Sequence, residues 1–90
     1  MSPDGTADVD RAVRGVLSDV LGLAPERVAA FTDATPLFGS LPELDSMAVA
    51  GLLTELEDRL GISIEDDEVD GDMLATVGAL TAFARAKAVV

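Results

Sequence analysis

The chain has 90 residues, a formal charge of −11 and a hydrophobic content of 49%, with three phenylalanines as its only aromatic residues. That length makes one small domain, burying roughly 60 to 65% of the surface its unfolded chain exposes, around a core of Leu, Val, Ile, Met and Ala. Cysteine and histidine are both absent, which excludes disulfides, Cys/His zinc sites, thiol nucleophiles and Ser-His-Asp relays, and with them most self-contained catalysis.

Residues 1–5, with Pro3 and Gly5, read as a loose end before a single domain over 6–88. The acidic start MSPDGTADVD contains no apolar h-region, and the longest apolar run, Met47 to Leu53, is far short of the roughly 20 residues a membrane span needs. A cytoplasmic protein without a membrane span is expected.

From Val9, apolar residues at 9, 13, 16, 17, 20 and 21 draw the stripe of an amphipathic helix, with Asp8 and Asp10 at its start and Gly22 just past its end. Pro25, Pro36, Gly39 and Pro42 then punctuate a long connection with room for one helical turn near 25–30. Phe31, Leu37, Phe38 and Leu41 are its expected anchors to the core. Met47, Val49, Leu52, Leu53, Leu56 and Leu60 place a second helix over Ser46 to Leu60, closed by Gly61. Ile62 and Ile64 suit an extended linker with both side chains inward. The run EDDEVDGD is read as a short helix or a turn, and Thr76 as the cap of a last helix over Val77 to about Lys87. Three substantial helices, one short one and a long first loop make an all-α four-helix bundle.

The charge is concentrated. Residues 43–72 hold eleven acids against Arg59 alone, a net −10. Such a field repels phosphate backbones and anionic membranes, which excludes nucleic acid as a partner, and steers the chain towards basic patches on proteins; a solvated face serving solubility is the plain alternative. Within this run Asp66, Glu68, Asp70, Gly71 and Asp72 fall at positions of a calcium loop counted from Asp66, but its twelfth position is Val77 where a bidentate Glu is required. No metal site is assigned.

The pair Asp45-Ser46 opens the apolar helix. Either side chain can cap it, satisfying free backbone amides. A serine at a helix start also sits where those amides and the helix dipole favour a phosphate group. Both roles stay open on the residues alone.

The ordered set VLGLAPERV, TPLF, LPELDSMAVAGLLTELEDRLGISI and ATVGALTAF resembles the acyl carrier protein family, from about Val9 to Phe83. The resemblance implies an acyl-carrier-like bundle in which Ser46 is the attachment point of 4′-phosphopantetheine, placed there by a separate phosphopantetheinyl transferase that uses coenzyme A and magnesium. It implies a carrier and not an enzyme: a monomer presenting a thioester to acyl-loading and acyl-transferring enzymes with basic docking patches. Asp45, Met47, Glu57 and Asp58 become the expected partner-recognition residues. Leu52, Leu56, Ile64, Ala75 and Leu80 become candidates for an acyl groove, each with ordinary core packing as its alternative. Fatty-acid carriers place acids in the turn or two after the serine; here the chain reads MAVAGLL, and Met47 replaces the usual Leu. That departure points to a specialised biosynthetic pathway, with an acyl, aminoacyl or hydroxyacyl unit as cargo. The competing reading is an acidic helical protein–protein adaptor without a prosthetic group, in which Ser46 is only a cap.

Overall fold

The computed structural model describes residues 5–88, with side chains from Asp8 onward. It contains four α-helices: α1 (Gly5–Leu21), α2 (Pro25–Ala29), α3 (Ser46–Leu60) and α4 (Val77–Ala88), with a 3₁₀ turn at Asp66–Glu68 between the last two. No strand occurs among the described residues; one isolated antiparallel bridge joins Pro36 and Thr76. The loose end expected over 1–5 lies, apart from Gly5, outside the described residues.

Helix α1 begins a turn earlier than its apolar stripe suggests, because periodicity marks the buried face and not the point where backbone hydrogen bonding starts. Val9, Val13, Val16, Leu17 and Leu21 are all buried. At its end Gly22 adopts the left-handed conformation (φ 68°), and the Leu23 amide reaches back to the Ser18 carbonyl at 3.0 Å, a closure that needs a residue free of Cβ strain. Gly61 (φ 64°) ends α3 in the same way, with Ile62 N donating to Glu57 O at 3.1 Å.

The short helix lies at the turn expected near 25–30, and the acidic run takes the second of its two readings, a turn. Pro25, with its fixed φ, starts α2, and the Arg14 guanidinium donates to the Val28 carbonyl at 2.7 Å. Residues 65–72 form only a three-residue 3₁₀ turn, since like charges three and four residues apart oppose a longer helix there. Ile62 and Ile64 are only half-buried on either side of Ser63.

Helix α1 packs against both α3 and α4. Leu52 and Leu56 from α3, with Val77, Leu80 and Ala84 from α4, meet the α1 valines in an aliphatic core that also takes in Leu37. The long loop is held mainly by backbone. Leu37 N donates to Ala75 O (2.9 Å), Phe38 N to Leu74 O (3.0 Å), Val77 N to Thr35 O (2.9 Å) and Gly78 N to Asp33 O (2.9 Å). The free amides of the α4 N-terminus are thereby satisfied by the loop's own carbonyls, and the Thr76 hydroxyl accepts from Ala79 N at 3.1 Å. Of the expected anchors, Leu37 is fully buried and Phe31 and Leu41 partly so, whereas Phe38 is 46% exposed. Its neighbour Leu37 takes the inward position, and Phe38 begins the turn over 38–40, closed by the Ser40 amide on the Leu37 carbonyl at 3.0 Å. These ties fix the chain that leads into α3.

Candidate functional site

Asp45 is the residue before α3, with extended backbone (φ −97°, ψ −177°). Its Oδ1 accepts the Ala48 amide at 2.8 Å. The cap is therefore the aspartate. Ser46, the first helical residue, is exposed, and its hydroxyl makes no hydrogen bond among the described residues. The ambiguity between Asp45 and Ser46 is resolved by backbone direction: only the extended residue before the helix can swing its side chain back onto the third amide.

Met47, at 86% exposure, stands beside the serine, and among the described residues Phe38 is the other large apolar side chain left open to solvent. The first turn of α3 carries no acid. Its first acidic residue is Glu55, which pairs with Arg59 at 3.3 Å; Arg59 also bonds Asp19, tying the end of α3 to α1, and these partners hold its guanidinium above the usual arginine range. Upstream, Arg27 of α2 bonds Glu43 at 3.0 Å. Hydrogen bonding to its own backbone amide, and then to Arg27, lowers the Glu43 carboxyl below the usual carboxylate value. Leu44, between Glu43 and Asp45, is buried. Both approaches to Ser46 are thus anchored while the serine itself is free.

Two clefts open at Ser46. One, of about 450 Å³, runs between α3 and the segment of the 3₁₀ turn and is lined by Ser46, Val49, Ala50, Leu53, Thr54 and Glu57 on one side and Ile64, Asp66 and Val69 on the other. The second, of about 250 Å³, lies under Phe38 and is lined by Val49, Val69, Asp70, Gly71 and Leu74. A third cleft, between α1 and α2, shares no residue with either.

The phosphopantetheine attachment site family model matches residues 11–84. The chain belongs to the acyl carrier protein family. The solution structure of a holo acyl carrier protein from Nitrosomonas europaea is similar to it, with 42% identity and a TM-score of 0.78, covering 88% of this chain and 93% of that one. No curated protein matches the chain. The carrier's prosthetic group is 4′-phosphopantetheine, and the chain is a carrier and not an enzyme.

Ser46 fits attachment of that group on three counts: the hydroxyl is exposed, it is not spent on a cap, and it sits at the N-terminus of a 15-residue helix, whose dipole and unpaired amides favour phosphate. The other expected residues divide. Asp45 and Met47 flank the serine. Asp58 is exposed, but Glu57 is half-buried and faces the larger cleft, its Oε2 accepting the Ile64 amide at 2.8 Å. One residue along a helix is a rotation of about 100°, enough to send adjacent acids to different surfaces.

Of the groove candidates, only Ile64 lines a cleft. Leu52, Leu56 and Leu80 are completely buried in the core and Ala75 is exposed beside the loop ladder. The lining residues that sequence reasoning missed are Val49, Leu53, Val69, Leu74 and Phe38. Their signal was present in part, since Val49, Leu53 and Glu57 follow Ser46 at the three- and four-residue steps that share a helix face. Among the described residues no three or more Asp, Glu, His or Cys gather as a metal site. Glu68 instead bonds Lys87 at 2.7 and 2.9 Å, and Asp70 accepts the Met73 amide. No helix among the described residues is long and apolar enough to cross a membrane.

Proposed function

We propose that Ser46 carries the 4′-phosphopantetheine and that the carrier serves enzymes of a dedicated biosynthetic pathway, presenting an acyl or aminoacyl unit to them. The free, exposed Ser46 hydroxyl beside an Asp45 that has taken over the cap is the observation that carries the attachment reading. Once attached, the group supplies a terminal thiol that holds the carried unit as a thioester. The chain's own residues do the rest. Asp45 and the cap bond hold the serine at the helix tip, and Ser46 gives up its proton to a base on the transferase, since the chain has no histidine to activate the hydroxyl.

The dedicated pathway is supported by the face next to Ser46. Met47 is almost fully exposed and the helix runs to Glu55 before its first acid. A partner reading this turn meets an apolar knob flanked by Ala48 and Ala50, where a patch of Lys and Arg finds no carboxylate to pair with. The more distal acids, Asp58 among them, remain for basic docking surfaces.

Intact-mass measurement after incubation with coenzyme A, magnesium and a broad-specificity transferase tests the attachment. One phosphopantetheine on the wild type and none on Ser46→Ala is the expected result; an unmodified wild type favours the adaptor. Acyl transfer from fatty-acid synthase enzymes onto the holo carrier tests the pathway, and rates equal to those of a housekeeping carrier would exclude a dedicated role.

A further inference from the structure

We propose that Glu57 makes the cleft between α3 and the 3₁₀ segment selective for charge, so that it holds an amine-bearing acyl group and turns away one that ends in a carboxylate. The inference rests on Ser46 as the attachment point and extends that reading to the class of cargo. Ser46, Val49, Leu53 and Glu57 follow one another along a single face of α3 that walls the cleft. Glu57 stands eleven positions after Ser46, about 16 Å along the helix axis, so a flexible arm fixed at one end of the cleft can bring its free end to the other.

The lining changes character along this path. Val49 and Leu53, faced by Val69 and Ile64, make the part near the serine apolar, and Glu57 and Asp66 make the far part acidic. Thr54 between them has already donated its hydroxyl to the Ala50 carbonyl at 2.9 Å, which leaves the carboxylates as the recognising groups. Glu57 is held in place through the Ile64 amide on Oε2, and its Oε1 has no partner among the described residues. Among the described residues no Lys or Arg lines this cleft, and Arg11, Arg14, Arg27, Arg59 and Lys87 are paired with other carboxylates. An uncharged alkyl end would desolvate Glu57 without replacing its water, a carboxylate end would add like-charge repulsion, and an ammonium end would satisfy the open oxygen.

The test uses the full-length holo carrier loaded on Ser46 with three non-hydrolysable pantetheine conjugates of equal carbon count: aminohexanoyl, hexanoyl and adipoyl. The reporter is the NMR shift of the Ile64 amide, which is bonded directly to Glu57. The aminohexanoyl form is expected to populate the cleft about threefold to fivefold more than hexanoyl, the range open to a half-exposed ion pair, and adipoyl less than either. Glu57→Gln keeps an acceptor for Ile64 but removes the charge, and should erase the ordering. Asp66→Asn, at an exposed rim with no side-chain bond to lose, should weaken it. Equal shifts for the three conjugates, or an ordering unchanged in Glu57→Gln, would overturn the proposal while leaving the carrier reading intact. Failure of the transferase to load any conjugate would instead remove the attachment on which both stand.

Discussion

The Asp45 carboxylate accepts the Ala48 amide at 2.8 Å, one residue away from a Ser46 hydroxyl that bonds to nothing around it. A helix start usually spends its best oxygen on capping. Here two adjacent oxygens differ, the first holding the helix and the second unbonded among the described residues.

That difference makes stability and modification separable at Asp45. Asp45→Ala should cost about 1 kcal/mol through loss of the cap, read as a lower urea midpoint with an unchanged slope. Asp45→Ser restores a capping oxygen without the charge, so stability should return to within a few tenths of a kcal/mol of wild type. If the transferase modifies Asp45→Ser as fast as wild type, the charge of Asp45 has no part in transferase recognition.

The loop that delivers Ser46 depends on close approach at Gly78. A Cβ there would lie 2.8 Å from Asp33 Cβ and 2.9 Å from Asp33 O, across the Gly78–Asp33 hydrogen bond. Gly78→Ala should therefore destabilise by about 1 to 3 kcal/mol, the strain outweighing the gain of roughly 1 kcal/mol that alanine brings to a helix. Gly51→Ala, whose added carbon would meet Val20 at an ordinary 3.6 Å, should keep that gain. Parallel denaturation curves with midpoints moved in opposite directions would verify the contrast.

Core and cleft can be told apart on α3 itself. Leu56 is completely buried and Leu53 only half so, on the wall of the larger cleft. Leu56→Ala should cost about 2 to 5 kcal/mol, and Leu53→Ala well under half as much, because the side chain it removes already meets solvent. Comparable losses for the two would mean that the cleft wall is packed as tightly as the core.

Much of this was legible in the sequence wherever a local signal marks a boundary. The limits of α3 follow from Asp45-Ser46 before the apolar stripe and Gly61 after it, and Thr76 announces α4. The groove candidates Leu52, Leu56 and Leu80 came from the middle of an apolar stripe, and that middle is the core, the alternative each of them carried. A cleft lies at the stripe's shoulder, where Val49 and Leu53 stand, and the shoulder that stays open depends on what packs opposite. Nothing local says that residues 64–69 leave a gap there. The loop ladder was hidden for the same reason: backbone pairing between 33–38 and 74–78 leaves no residue pattern apart from one glycine that tolerates contact.

The far wall of the larger cleft is tied down by a pH-sensitive pair. Lys87 bonds both oxygens of Glu68 at 2.7 and 2.9 Å. That contact first, and the Glu65 amide second, hold the Glu68 carboxyl below its usual value. In an unfolded chain a glutamate titrates near about 4.3. The pair's contribution is therefore complete above that pH and is lost as pH falls through the lower folded value, where the protonated acid no longer holds the ammonium. Lowering the pH from about 7 to about 3 should thus reduce the protection of the Val69 amide, measured against its intrinsic exchange rate at each pH, more than that of buried amides of α1; the Val69 amide lies on the cleft wall beside the pair. Lys87→Met keeps the aliphatic stem but removes the charge, and its Val69 amide should already exchange faster at neutral pH, with a flatter response to acid. Glu43 also has a depressed carboxyl, but its acid sensitivity belongs to the other end of the site and persists in Lys87→Met. An unchanged Val69 profile in that variant would show that the turn is held without the ion pair.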